Sequence, residues 1–201
     1  MDLQQLRSRV QQELSPTRFD HVEGVVQSAR QLAQHYRIDA EKAQYAAWIH
    51  DIAREWTSLK LQQMAKSFHI ESSFLEVPDV LHGPIASFLA RDWFGVTDED
   101  VRNAIYYHTT GRPKMSPLEQ VVFVADAIEP GREYPGVDAL RVLAHTNLEL
   151  AVGTAMDSSI RYLLLKHRVI FPLTILARNY IWDSLSGHDD LSMIRNELGG
   201  N

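Results

Sequence analysis

Histidine and aspartate recur along this chain in the order His21, His50-Asp51, His82, His108 and Asp126. Imidazole and carboxylate are donors that hold a pair of divalent metals, and a metal pair is suited to cleaving phosphate esters. The His-Asp dipeptide alone carries nothing, because a second one, His188-Asp189, stands in a polar tail. His50-Asp51 differs in ending a strongly apolar run, where a charge-bearing pair needs a partner. Consecutive helical side chains diverge by about 100°, so the two cannot chelate as neighbours on one face. One of them can still bind a metal while the other lies between two. Taken singly, each residue has a plainer reading: His21 as a core-edge histidine, His82 as a cap, His108 as a cation at a helix C-terminus, Asp126 as a buried acceptor. The combination is harder to explain without ligation. His35, His69, His145, His167 and His188 lack comparable settings and are assigned to surface or packing roles.

The elements that position these donors are helical, since apolar residues recur at three and four rather than at two. Val22, Val25, Val26, Ala29, Leu32 and Ala33 stripe one helix; Ala43 to Ile52 mark a second that is apolar on most sides and so central, with His50 and Asp51 near its end. Thr57-Ser58 caps a short helix through Phe68. Gly83-Pro84 opens another that Gly95 stops, which puts His82 at a helix start. Thr97-Asp98-Glu99-Asp100 opens a helix ending at Thr109-Thr110-Gly111, with His108 expected in its last turn. Ser116-Pro117-Leu118-Glu119 is a capping box that launches an apolar helix containing Asp126. Helical patterns near 138–145 and 147–167 follow, then a last major helix from Pro172. An all-α fold is expected.

With 201 residues and 45% hydrophobic content, the chain can bury one sizeable core. No linker or repeat divides it, and the segment from Ser186 is expected to be peripheral. The absence of cysteine excludes thiolate ligands and a cysteine nucleophile. No signal-peptide pattern opens the chain and no apolar run approaches the roughly 18 residues that span a bilayer, so a cytoplasmic protein is expected. A net charge of -6 with scattered basic residues argues against nucleic acid or an anionic membrane as partner. Any phosphate must then be captured locally, by metal charge and by arginines or lysines drawn from Arg18, Arg54, Arg112, Lys114, Arg132 and Arg178.

The phrases RFDHVEGV (18–25), WIHDIAR (48–54), HGPIAS (82–87), YHTTGRPKMSPLEQVVFVADAIEPGREYPGV (107–137) and PLTILARNY (172–180) together resemble the HD-domain superfamily of metal-dependent phosphohydrolases. More narrowly they are similar to the YqeK family of symmetrical bis(5′-nucleosyl)-tetraphosphatases, which hydrolyse diadenosine tetraphosphate. The resemblance implies a single HD domain over residues 1–185, with its metal core at about 18–130 and a peripheral tail at 186–201. It implies that His21, His50, Asp51 and Asp126 hold one metal, and that His82 and His108 hold a second with Asp51 bridging. Two iron ions are what the family suggests; nitrogen and oxygen ligation is equally compatible with Mn, Co or Zn.

On this reading metal-activated water attacks an inner phosphorus and two ADP leave, with no covalent enzyme intermediate. Asp51, Arg54 and Arg132 are expected to act on the reacting phosphate. Arg54 departs from the lysine common in the family, keeping charge but changing hydrogen-bond geometry. Expected substrate contacts are Gly24, Arg54, Thr57, Thr109, Arg132, Arg178 and Asn179. Gly24 is small either for substrate approach or for close packing. Trp56 or Tyr180 can stack on a base, though aromatics at helical spacing more often belong to a core. The alternatives are another HD phosphohydrolase, acting on nucleoside monophosphates or guanosine tetraphosphate, and a catalytically silent nucleotide-binding module. The cyclic-dinucleotide branch is disfavoured because its GYP-containing signature is missing. A homodimer is left open.

Overall fold

Ser15 and Pro16 fix the start of the helix that carries His21. In the computed structural model, which describes residues 2–186, the Ser15 hydroxyl accepts from the Arg18 amide, and proline stands in the first turn, where its missing N–H costs nothing. This helix is α2 (Pro16–His35), and α1 (Leu3–Glu13) precedes it. α1 lies outside the expected set. It forms on an Asp2–Gln5 capping box and buries only Leu6 and Val10, a stripe too thin to stand out in a polar sequence.

Asp39 caps α3 (Ala40–Ile49), and the Thr57 hydroxyl caps α4 (Ser58–Ser67) by accepting from the Lys60 amide. A short α5 (Ser72–Leu75) and a 3-10 turn over Pro78–Val80 lead into α6 (His82–Phe94), which Gly95 ends in the left-handed conformation at φ 68. α7 (Glu99–Tyr106), α8 (Pro117–Ile128), α9 (Val137–Thr146), α10 (Leu148–Leu165) and α11 (Pro172–Ser186) complete the order. Among the described residues there is no strand, and no helix is long and apolar enough to cross a membrane. Residues 187–201, including the His188-Asp189 dipeptide, lie outside the described residues.

α8 is the hub of the packing. It meets α2, α3, α7, α9 and α10, and buries Leu118, Val121, Val122, Phe123, Val124, Ala125 and Ile128. Contact on so many sides is why its sequence lacks a polar face. α2 and α3 pack together on one flank, α6 and α7 close against α3, and α10 lies among α8, α9 and α11.

Two boundaries differ from expectation and both bear on the site. α7 ends at Tyr106, so His108 stands beyond the helix, in a turn closed by the Gly111 amide bonding to the Tyr107 carbonyl at 2.7 Å. Gly111 adopts φ 62, and a Cβ there would lie 2.3 Å from Met156 Cε, which explains why the chain turns on glycine. α3 ends at Ile49, and successive tight turns follow, with the Ile52 amide on Ile49 and the Arg54 amide on Asp51. His50 itself keeps helical dihedrals as the C-cap of α3, and Asp51 begins the turns that follow.

Candidate metal centre

Four of the histidines meet at Asp51, and Asp126 joins them through His21. His21 comes from α2, His50 is the C-cap of α3, His82 opens α6, His108 follows α7 and Asp126 sits in the last turn of α8. Asp51 is buried, and its two oxygens face opposite ways. Oδ2 lies 3.7 Å from His21 Nε2 and 3.6 Å from His50 Nε2, while Oδ1 lies 3.3 Å from His82 Nε2 and 3.7 Å from His108 Nε2. Asp126 Oδ1 approaches His21 Nε2 at 3.1 Å. Two triads have donor atoms close enough to share an ion: His21, His50 and Asp126, and His50, Asp51 and His108. His82 joins the second through its Nε2, 3.1 Å from His108 Nε2. His50 thus stands in both triads, whereas the resemblance assigns it to one metal.

The hydrogen bonds fix which nitrogen of each ring is available. His50 Nδ1 bonds to the Ala47 carbonyl at 2.6 Å, His82 Nδ1 to the Asp79 carbonyl at 3.0 Å and His108 Nδ1 to the Ile105 carbonyl at 2.7 Å. A carbonyl only accepts, so each Nδ1 carries a proton and each Nε2 is left to face the centre. His21 Nδ1 bonds instead to Glu129 Oε1 at 3.1 Å. His21 Nε2 and His50 Nε2 are buried without hydrogen-bond partners. At 3.1 Å, the Nε2 atoms of His82 and His108 set lone pair against lone pair unless a cation or proton intervenes. Inward-facing lone pairs around two carboxylates fit a divalent metal on chemical grounds.

The electrostatics follow from burial. Burial pushes the His50 imidazole down to about 4, outweighing the pull of Asp51, and it lowers His82 as well. Burial alone would raise Asp51, but His50, His108 and His82 hold it well below the usual carboxylate range. Asp126 is also depressed, burial being outweighed by His21, Arg132 and His50. For His21 burial lowers the value, yet Asp126 and Glu129 leave it raised.

A stability prediction follows for the metal-free chain. His50 and His82 are held neutral when folded, so between 6.5 and about 4 the unfolded chain binds more protons and stability falls as pH falls. The His50 contribution is roughly 3 kcal/mol over that window. The raised His21 offsets none of this, because its stabilisation is already complete below 6.5. Denaturant midpoints of chelator-treated protein at neutral and acid pH measure the effect; equal midpoints would contradict it.

The expected substrate contacts divide. Thr109 joins the centre, its hydroxyl 3.1 Å from His82 Nε2 and 3.0 Å from His108 Nε2. Arg132 does too, bonding to the Asp126 carbonyl at 2.9 Å and to Asp126 Oδ1 at 2.7 Å. Arg54 is exposed, makes no ion pair among the described residues and stands near enough to His82 to help lower its basicity. Arg18 contacts Asp51 Oδ2 at 3.0 Å.

The others are engaged elsewhere. Arg112 forms a bidentate pair with buried Glu119, at 2.8 and 2.7 Å. Arg178 bonds to Asp157 and to Asn179, and Thr57 serves as a helix cap. Trp56 is half-buried against Trp93 with Lys60 over its ring, while Tyr180 is partly exposed on α11. At Gly24 the space is taken by protein: an added Cβ would lie 2.5 Å from Glu129 Oε2. Glu129 itself is the residue that sequence reasoning passes over. In the sequence it opens a Glu-Pro-Gly loop, and its spacing from Asp126, one helical turn, was the available signal.

The family model described as HD domain matches residues 18–131. The chain is 36% identical over 182 residues to a Bacillus subtilis protein named bis(5′-nucleosyl)-tetraphosphatase, symmetrical, covering 90% of this chain and 98% of that one. A protein of the same name from Halalkalibacterium halodurans is 37% identical over 86% of this chain and 92% of its own length. A crystal structure from Clostridium acetobutylicum, described as a predicted HD superfamily hydrolase involved in NAD metabolism, superposes with a TM-score of 0.88 at 36% identity. The match covers 92% of this chain and 98% of that one.

Proposed function

The chain belongs to the HD-domain family and, within it, to the symmetrical bis(5′-nucleosyl)-tetraphosphatases, and from this membership we propose that its metal centre hydrolyses diadenosine tetraphosphate to two ADP. The enzyme is a metal-dependent phosphohydrolase. One observation carries the assignment of chemistry to the centre: the two oxygens of Asp51 face two different pairs of imidazoles, the arrangement a bridging carboxylate requires.

We assign His21, His50, Asp51 and Asp126 to one ion and His82 and His108, with Asp51 bridging, to a second; iron is the proposed metal. The position of His50 in both triads makes it a ligand either ion can draw on. Bound there, divalent ions supply Lewis acidity and lower the pKa of water. The chain's own groups do the remaining work. The main-chain carbonyls behind His50, His82 and His108 keep the proton on Nδ1 and turn Nε2 inward, so no proton would need to leave that nitrogen for a metal to bind. Arg132 and exposed Arg54 flank the centre from opposite partners, Asp126 and His82, and supply positive charge to a polyphosphate that the acidic surface does not attract. Water adds to one inner phosphorus and gives up a proton to solvent, the bond from that phosphorus to the central bridging oxygen breaks, and that oxygen departs with the second ADP. The HD domain is proposed to span residues 1–185.

A substrate panel separates this from the alternatives. Metal-loaded protein should turn over diadenosine tetraphosphate in preference to nucleoside monophosphates or guanosine tetraphosphate. Preference for either of the latter would favour the other phosphohydrolase reading, and metal uptake without turnover of any would favour a binding module.

A further inference from the structure

Three of the four bonded imidazoles are held by the carbonyl three residues earlier in the chain. His21 differs, because it lies within α2, where the helix's own bonds occupy its carbonyls. Its Nδ1 needs a partner from elsewhere, and Glu129, from the loop after α8, reaches 108 positions back to provide one at 3.1 Å. We propose that Glu129 is a positioning residue for the metal centre: it sets the tautomer and direction of His21, and Gly24 exists to let it do so.

The geometry is specific to a carboxylate. Glu129 is 4% exposed and accepts at both oxygens, from His21 Nδ1 at Oε1 and from the Gly131 amide at Oε2, 2.6 Å away. A glutamine of the same shape has one accepting oxygen. If that oxygen keeps the Gly131 amide, the NH2 group faces His21 Nδ1, which must then accept, and the proton moves to Nε2 where a metal would bind. The approach of Glu129 to α2 depends on a missing side chain, since a Cβ on Gly24 would lie 2.5 Å from Oε2 and 3.3 Å from Pro130 Cδ. Arg141 holds the loop from the other side, donating to the carbonyls of Ile128, Glu129 and Arg132. His21 is therefore locked through the same loop that carries Arg132.

The inference rests on the metal assignment above, and its test reads metal binding rather than turnover. Co2+ is titrated into metal-free wild-type, Glu129→Gln and Gly24→Ala proteins, followed by visible absorption, with folding checked by circular dichroism. Both variants should weaken one binding step about 10–100-fold and leave the other unchanged, the range found for outer partners of metal-bound histidines. Gly24→Ala keeps the glutamate and only displaces it, so a matching loss separates position from charge, and it stands as the test if Glu129→Gln fails to fold. Variants that bind both equivalents like wild type, even with a lowered Tm, overturn this inference alone. Wild type that takes up no Co2+ overturns the metal assignment and this inference with it.

Discussion

Asp51→Ala should empty the centre of both metals and abolish turnover while the chain stays folded. Four imidazole nitrogens lie within 3.3–3.7 Å of this one carboxylate, two on each oxygen. No other described carboxylate lies between the two pairs of imidazoles: Asp126 pairs with His21 and Arg132. Removing Asp51 leaves the rings with no anion between them, and it releases Arg18 as an uncompensated cation beside the centre. A bound metal contributes several kcal/mol to the transition state, and each 1.36 kcal/mol is tenfold in rate, so the loss is at least about a thousandfold. Metal analysis after desalting and a turnover assay check this together. A variant that retains two metals and wild-type turnover would sink the assignment.

His108→Ala should behave differently, losing one metal of the two. His108 Nε2 meets His82 Nε2, Asp51 Oδ1 and the Thr109 hydroxyl, all on one side of Asp51. The triad of His21, His50 and Asp126 contains none of these atoms and should keep its ion. With one Lewis acid remaining, turnover should fall by about 10²–10³, the cost of removing a major electrostatic contributor. The contrast in stoichiometry is the informative part: none retained in Asp51→Ala, one in His108→Ala. If His108→Ala loses both ions, the two halves of the centre are not separable.

Much of this was legible in the sequence for a definable reason. Imidazoles and a carboxylate in strongly apolar helices are costly to bury unpaired, and that cost is visible in residue types alone. His21, His50, Asp51, His82, His108 and Asp126 do converge. Helix starts were equally readable where a cap spells them out, as at Thr57 and at Ser116-Pro117.

What escaped depends on tertiary contact. The end of α7 at Tyr106 is set by Gly111 turning against Met156, a residue 45 positions later that no local pattern reveals. Arg112 stands in the sequence among the candidates for phosphate capture, and only the fold shows it paired with buried Glu119. Glu129 read as loop because a Glu-Pro-Gly run is turn chemistry; only the folded chain shows it against His21 and Gly24.

This centre is proposed to cleave diadenosine tetraphosphate between its two inner phosphates. Protein of known metal content, incubated with that substrate and sampled before completion, should yield ADP as the sole nucleotide product. AMP appearing with ATP in equal amounts would place the cleaved bond between an outer and an inner phosphate and contradict symmetrical cleavage.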